Sequence, residues 1–305
     1  MSVGDRIVVV VGPTASGKSS LAVELARRLG EHEIVNADSM QLYRGMDIGT
    51  AKPTAAEREA VPHHLFDVLD VTETASVAEF QTMAREAIAE CHNRGVTPVV
   101  VGGSALYVRA VIDRLDFPGT DPAVRDQWDA ELASRGPESL HAELAERDPA
   151  AAASILSSNG RRLVRALEVI ELTGEPFTAT MPAYDSIYGE LTMLGLDVPR
   201  EVLDVRLAER VEAMWRDGFV DEVRTLREHG LGEGLTASRA LGYQQILAYL
   251  AGESTEDEAR EATVVGTRKF ARRQDRLFRK DPRIQWLPYD APDLVEQAVG
   301  VVGPE

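Results

Sequence analysis

The valine-rich run Arg6-Ile7-Val8-Val9-Val10-Val11 leads directly into Gly12-Pro13-Thr14-Ala15-Ser16-Gly17-Lys18-Ser19. Residues 20–29 follow with apolar side chains at helical spacing. The octet fits G-x-x-x-x-G-K-[ST], and a strand before it with a helix after it is the context that turns this pattern into a phosphate-binding P-loop. Glycines let the backbone curl so that several N–H groups face an anion, and the first turn of the helix adds unpaired donors and the positive end of its dipole. Lys18 adds a full charge, and the Ser19 hydroxyl suits Mg²⁺. The loop type is that of nucleotide- and ATP-binding proteins. It predicts a bound di- or triphosphate and leaves both its identity and the reaction open.

Such a loop constrains the fold. Strand patterns at 33–35, 64–68 and 97–101 alternate with helical patterns at 76–94 and 104–112, which predicts a parallel sheet flanked by helices. Between residues 113 and 188 strand signals vanish, and segments 121–134, 138–146 and 160–173 read as helices punctuated by prolines. This stretch is expected to be a helical insertion domain within a P-loop NTPase-like core of residues 1–112 and 189–305. A strand returns at 191–198, a helix starts at Pro199, a basic helix spans about 259–280, and 284–287 reads as the last strand.

The formal net charge is −17, which argues against a general nucleic-acid binder. The charge is uneven, however. Residues 268–283 hold eight cations against Asp275 and Asp281, a local +6 that leaves −23 on the rest. A second basic cluster is Arg161-Arg162-Leu163-Val164-Arg165. Two basic islands on an acidic body suit local contact with a polyanion, and a solvated helix face with internal ion pairs explains them equally well. The single cysteine, Cys91, sits at a helix-core position and suits a reducing cytoplasm. His63-His64 makes a poor metal site, because neighbours in a strand face opposite sides. No 18-residue apolar run predicts a membrane span, and the immediate start of the first strand leaves no room for a targeting peptide.

The strand at 97–101 ends in Gly102-Gly103-Ser104 and lacks the metal-binding aspartate that P-loop ATPases and kinases carry there. Asp38 is the best-placed carboxylate near the loop, ahead of Asp67 and Asp70. The block Asp38-Ser39-Met40-Gln41-Leu42-Tyr43-Arg44-Gly45-Met46-Asp47-Ile48-Gly49-Thr50-Ala51-Lys52-Pro53, taken with the P-loop, resembles the tRNA dimethylallyltransferase (tRNA isopentenyltransferase) family of bacteria. Pro62-His63-His64-Leu65, Gly102-Gly103-Ser104-Ala105-Leu106-Tyr107, residues 161–168 and Arg273-Gln274 extend the likeness in collinear order over residues 6–287. At Arg276 and Leu277 the chain departs from it, since a small polar residue and a tryptophan are usual there.

The resemblance implies transfer of a dimethylallyl group from dimethylallyl diphosphate to N6 of adenosine 37, beside the anticodon, in tRNAs reading codons that start with U. It implies diphosphate binding by Gly12 to Ser19, Mg²⁺ at Ser19, and catalytic roles for Asp38 as proton acceptor, Ser104 as a diphosphate contact and Arg210 as a clamp on the same diphosphate. It implies contact of the flipped adenine with Asp38, Ser39, Met40 and Gln41. Further RNA contacts are implied for Arg125, Arg161, Arg162, Leu163, Val164, Arg165, Arg239, Gly242, Tyr243, Arg272, Arg273, Gln274, Arg276 and Arg279. The insertion would grip the anticodon stem of a tRNA bound by a cytoplasmic monomer. Three other readings stand beside it: prenylation of free adenylate, small-molecule phosphorylation, and nucleotide-dependent RNA binding without catalysis.

Overall fold

The computed structural model describes residues 5–177 and 183–303. The chain divides into two compact units, one of Met1–Asp113 with Ser186–Glu305 and one of Arg114–Asp185. The larger unit is built on one six-stranded sheet of order β3-β2-β4-β1-β5-β6, formed by β1 Arg6–Val11, β2 His32–Asn36, β3 His63–His64, β4 Thr97–Gly102, β5 Glu190–Asp197 and β6 Ile284–Pro288. Every pairing is parallel. The fully buried run Ile7 to Val11 is what a central parallel strand covered on both faces requires.

Helices α1 Lys18–Leu29, α2 Ala55–Ala60, α3 Val77–Asn93 and α4 Ala105–Ile112 alternate with the first four strands. Later in the chain come α8 Arg200–Arg216, α9 Phe219–Glu228, α10 Tyr243–Leu250, α11 Glu256–Phe278 and α12 Leu294–Val302. Alternate residues of the strands supply the two layers. Val9, Val11 and Val35 pack under α3 and α4 with Phe80, Ile88 and Val111. Val8, Val10 and Ile34 pack under α1 and α12 with Leu25 and Val302. A third cluster buries Tyr43 and Met46 against Phe219, Val223, Tyr243 and Ile246, so α9 and α10 back the segment that follows β2.

The smaller unit is helical: α5 Pro122–Arg147, α6 Pro149–Ser154 and α7 Gly160–Thr173. Gly136, at φ 78° before Pro137, breaks α5 into the two halves that the sequence pattern predicts. Trp128, Leu140, Leu144, Leu163, Val164 and Leu167 form its core.

Two differences from the sequence reading stand out. The strand expected at 64–68 ends at His64, because Leu65 and Asp67 take positive φ. Helices α2, α6 and α12 are too short or too weakly patterned to have been foreseen. Among the described residues no helix is long and apolar enough to cross a membrane.

Candidate active site

The carboxyl ends of β1, β2 and β4 open into a cleft of about 180 Å³, at the place where parallel α/β sheets bind ligands. Gly17 caps α1 in the left-handed conformation (φ 98°), which lets the loop turn sharply into the helix. Thr14, Ala15, Gly17, Lys18 and Ser19 line the cleft. Ser16 Oγ is buried and has no partner among the described residues, so a donor stands ready inside the loop. Lys18 Nζ reaches the Pro13 carbonyl at 3.5 Å. Burial pushes its ammonium down to about 8, against the opposing pull of Asp38, with Arg210 adding like-charge repulsion. Arg210, projecting from α8, lines the same cleft and donates to Thr14 Oγ1 at 3.2 Å. Two cations with no carboxylate bonded to them among the described residues, beside a curled backbone, form a site for a strong anion.

Asp38 stands on the other wall. Asn36, at the end of β2, accepts from the Asp38 N–H at 2.8 Å and donates to its carbonyl at 3.0 Å. Asp38 Oδ1 in turn accepts from Met40 N at 3.0 Å and caps a single 3-10 turn, Ser39–Leu42. One carboxylate oxygen is thus engaged in local structure, and Asp38 lines the cleft. Gln41 lines the cleft with its Nε2 held by the carbonyls of Thr50 (3.1 Å) and Ala51 (3.3 Å). Lys52, whose side chain is almost fully buried, donates to Tyr43 O, Asp47 and Asp67. Asp67 is further bound by Arg58 and Asp70 by Arg44, so both of these weaker candidates are paired with cations.

The cleft therefore brings together most of the P-loop, Asp38, Gln41 and Arg210. Ser104 caps α4 at the end of β4 and is not among the lining residues. Glu57, His63 and Phe66 also line the cleft, and the Nε2 of His63 is buried without a partner among the described residues. His63 and its neighbour point to opposite faces, since His64 Nε2 bonds Glu33 at 2.7 Å beside α3. Glu33, His64 and Cys91 gather ligand-type atoms within 4.8 Å of one another, a grouping invisible in the spacing of the chain. Both guanidinium nitrogens of Arg94 already neutralise Glu33 (2.7 and 2.5 Å) and hold its carboxyl down to about 2, while burial pushes the Cys91 thiol up to about 11.

Several residues expected at an RNA surface are committed elsewhere. Gln274 is buried; its Oε1 accepts from Thr14 N at 2.9 Å and its Nε2 donates to Gly103 O at 2.8 Å, which ties the P-loop to the end of β4. Leu163 and Val164 lie in the helical core. Arg125 and Arg165 both bond the buried Glu168, at 3.2 and 2.9 Å. Tyr243 is buried with its hydroxyl on Glu222, and Gly242 packs on Phe219. Arg272 pairs with Asp204, and Arg279 pairs with Asp197 and Asp275 while stacking on Trp286. In contrast, Lys269, Arg273, Arg276 and Lys280 are exposed with no ion pair among the described residues. Their spacing of four, three and four places them on one stripe along α11 and its C-terminal end. Exposed Phe270 and Leu277 flank that stripe. Arg161, Arg162 and Arg239 are exposed as well.

The family model described as IPP transferase matches residues 41–281. A tRNA dimethylallyltransferase from Thermobifida fusca is 62% identical over 300 residues, covering 97% of this chain and 94% of the relative. The chain belongs to the IPP transferase family. Another relative of the same name, from Streptomyces avermitilis, is 62% identical over 95% of this chain and 93% of its own length. Among solved structures, the full-length tRNA isopentenylpyrophosphate transferase of Bacillus halodurans is 40% identical with a TM-score of 0.71, covering 96% of this chain and 94% of that one. A eukaryotic dimethylallyltransferase acting on tRNA reaches a TM-score of 0.82 at 26% identity, covering 96% of this chain and 77% of that one.

Proposed function

We propose that this protein transfers the dimethylallyl group of dimethylallyl diphosphate to N6 of adenosine 37 in tRNA, giving N6-(dimethylallyl)adenosine. The observation that carries this reading is one cleft with an anion cradle on one wall and the Asp38 carboxylate on the other. Breaking the allylic C–O bond gathers negative charge on the leaving diphosphate. Lys18, Arg210 and the loop N–H groups lie where that charge develops, so they stabilise the transition state more than the ground state. The acceptor nitrogen shares its lone pair with the purine ring and loses a proton as it forms the new C–N bond. Asp38 Oδ2 accepts that proton, while Asn36 and the capping bond from Met40 keep the carboxylate in place.

The residues present fit Mg²⁺ through Ser19: its hydroxyl lines the cleft beside Lys18 and is a hard oxygen donor of the kind such a cation takes. Mg²⁺ bound there would neutralise diphosphate charge. The acceptor base is extruded from an anticodon loop to reach the cleft. Exposed Lys269, Arg273, Arg276 and Lys280 form the phosphate-contacting stripe of the larger unit. The helical unit, with exposed Arg161 and Arg162, is assigned to the anticodon stem. The protein acts on that substrate as a monomer in the cytoplasm.

Incubation with unmodified tRNA, Mg²⁺ and dimethylallyl diphosphate, followed by nucleoside mass analysis, tests the reading. One C5 unit added to adenosine supports it. Product on free AMP alone moves the assignment to an adenylate prenyltransferase, and no product on either acceptor overturns it.

A further inference from the structure

The Glu222 carboxylate, on α9, receives four hydrogen bonds from distant parts of the chain. Backbone N–H groups of Asp47 (3.1 Å), Ile48 (2.7 Å) and Gly49 (3.2 Å) converge on it, and the Tyr243 hydroxyl donates at 2.6 Å. Residues 47–49 belong to no helix or strand, so these amides have no ladder of their own. The fit is close: a Cβ at Gly49 would fall 2.2 Å from Phe219 and 2.5 Å from Tyr243. The very next carbonyls, of Thr50 and Ala51, are the two that hold Gln41 Nε2. Gln41 lies in the turn capped by Asp38.

We infer that Glu222 is a positioning residue for the acceptor wall of the cleft: it gathers the 47–49 amides, fixes the carbonyls that hold Gln41, and thereby sets the Ser39–Leu42 turn beside Asp38. Glu222 is not among the residues that line the cleft. The P-loop wall draws on none of these bonds, so donor binding is independent of them. The inference rests on the proposed function for its meaning in catalysis, and its structural half is testable without it.

The test uses the full chain with Glu222→Gln, which keeps the length but turns one acceptor oxygen into an NH₂ facing N–H donors, and Tyr243→Phe, which removes a single donor. For Glu222→Gln, the tRNA KM is expected to rise about tenfold, as for the loss of about one good hydrogen bond's worth of order, and kcat to fall. The Kd for dimethylallyl diphosphate is expected to stay within about twofold. Hydrogen exchange at the amides of residues 47–51 should quicken, and Tyr243→Phe should show the same pattern at smaller size. A general loss of folded protein would instead lower kcat alone, with both KM values unmoved. Donor affinity falling in parallel, an unchanged tRNA KM, or unchanged exchange at 47–49 would each overturn the inference. If the wild-type chain transfers nothing, the functional reading fails by itself, and exchange together with RNA affinity still decides whether the clamp orders the acceptor wall.

Discussion

The two walls of the cleft are ordered in opposite ways. The P-loop wall is built on one contiguous octet, its sharp turn set by a glycine in the left-handed region and by the start of α1, with Arg210 and Gln274 adding one long-range bond each at Thr14. The Asp38 wall is a stretch of turns whose order comes from afar. Asn36 holds its start, Lys52 binds it to Tyr43 and Asp67, and Glu222 gathers its middle from more than 170 residues away. An anion needs converging N–H groups and charge, which a short motif supplies. A heterocyclic amine needs a carboxylate placed to within a few tenths of an ångström, which a loop cannot secure alone.

The comparison can be broken at several points. The largest effect is expected for Asp38→Ala, which should lower kcat by about 10² to 10⁴ as the loss of a general base does. Donor affinity measured by calorimetry should be unchanged, and a parallel loss of donor binding would show that the walls are not separate. Lys18→Met should weaken donor binding by roughly a hundredfold, since a charge-assisted contact is lost in a partly dry site. Equilibrium RNA binding should be spared.

A second comparison sets the two faces of α11 against each other. Arg273→Ala with Arg276→Ala should raise the tRNA Kd by about tenfold and reduce the magnitude of the salt slope by about 2. The same number of charges removed as Arg272→Ala with Arg279→Ala should change the slope less, because those side chains are engaged by Asp204, Asp197, Asp275 and Trp286. Equal slopes would return the paired arginines to the interface.

The smallest effect is one of pH. Below about pH 8 Lys18 is charged in the free protein, and above it the ammonium deprotonates. A diphosphate binds best to the charged form, so affinity should be level below pH 8 and fall by at most about tenfold per unit above it. Lys18→Met should flatten that profile, and a slope persisting in the variant would place the titration elsewhere.

What could be read from the chain follows the same division. The P-loop, the alternating strands and the helical stretch are local patterns, and residues 6–173 carry them openly. The break in α5 was legible because Gly136-Pro137 is local too. Glu222 was not, since nothing in Asp221-Glu222-Val223 distinguishes it from a solvated helix glutamate until α9 is placed against residues 47–49. The basic segment shows the limit from the other side. Composition counts eight cations there, and only packing tells Arg279 and Arg283, bonded to aspartates, from Arg273 and Arg276. Gln274 misled for the same reason: a polar residue between exposed arginines faces inward on the next turn of the helix.

That glutamine has a thermodynamic consequence. Its amide joins a helix that carries an exposed cationic stripe to the backbone of the anion cradle, through Thr14 N and Gly103 O. Any displacement of α11 would act on the backbone of that loop through these two bonds. Linkage is reciprocal, so whatever factor RNA imposes on donor affinity, the donor must impose on RNA affinity.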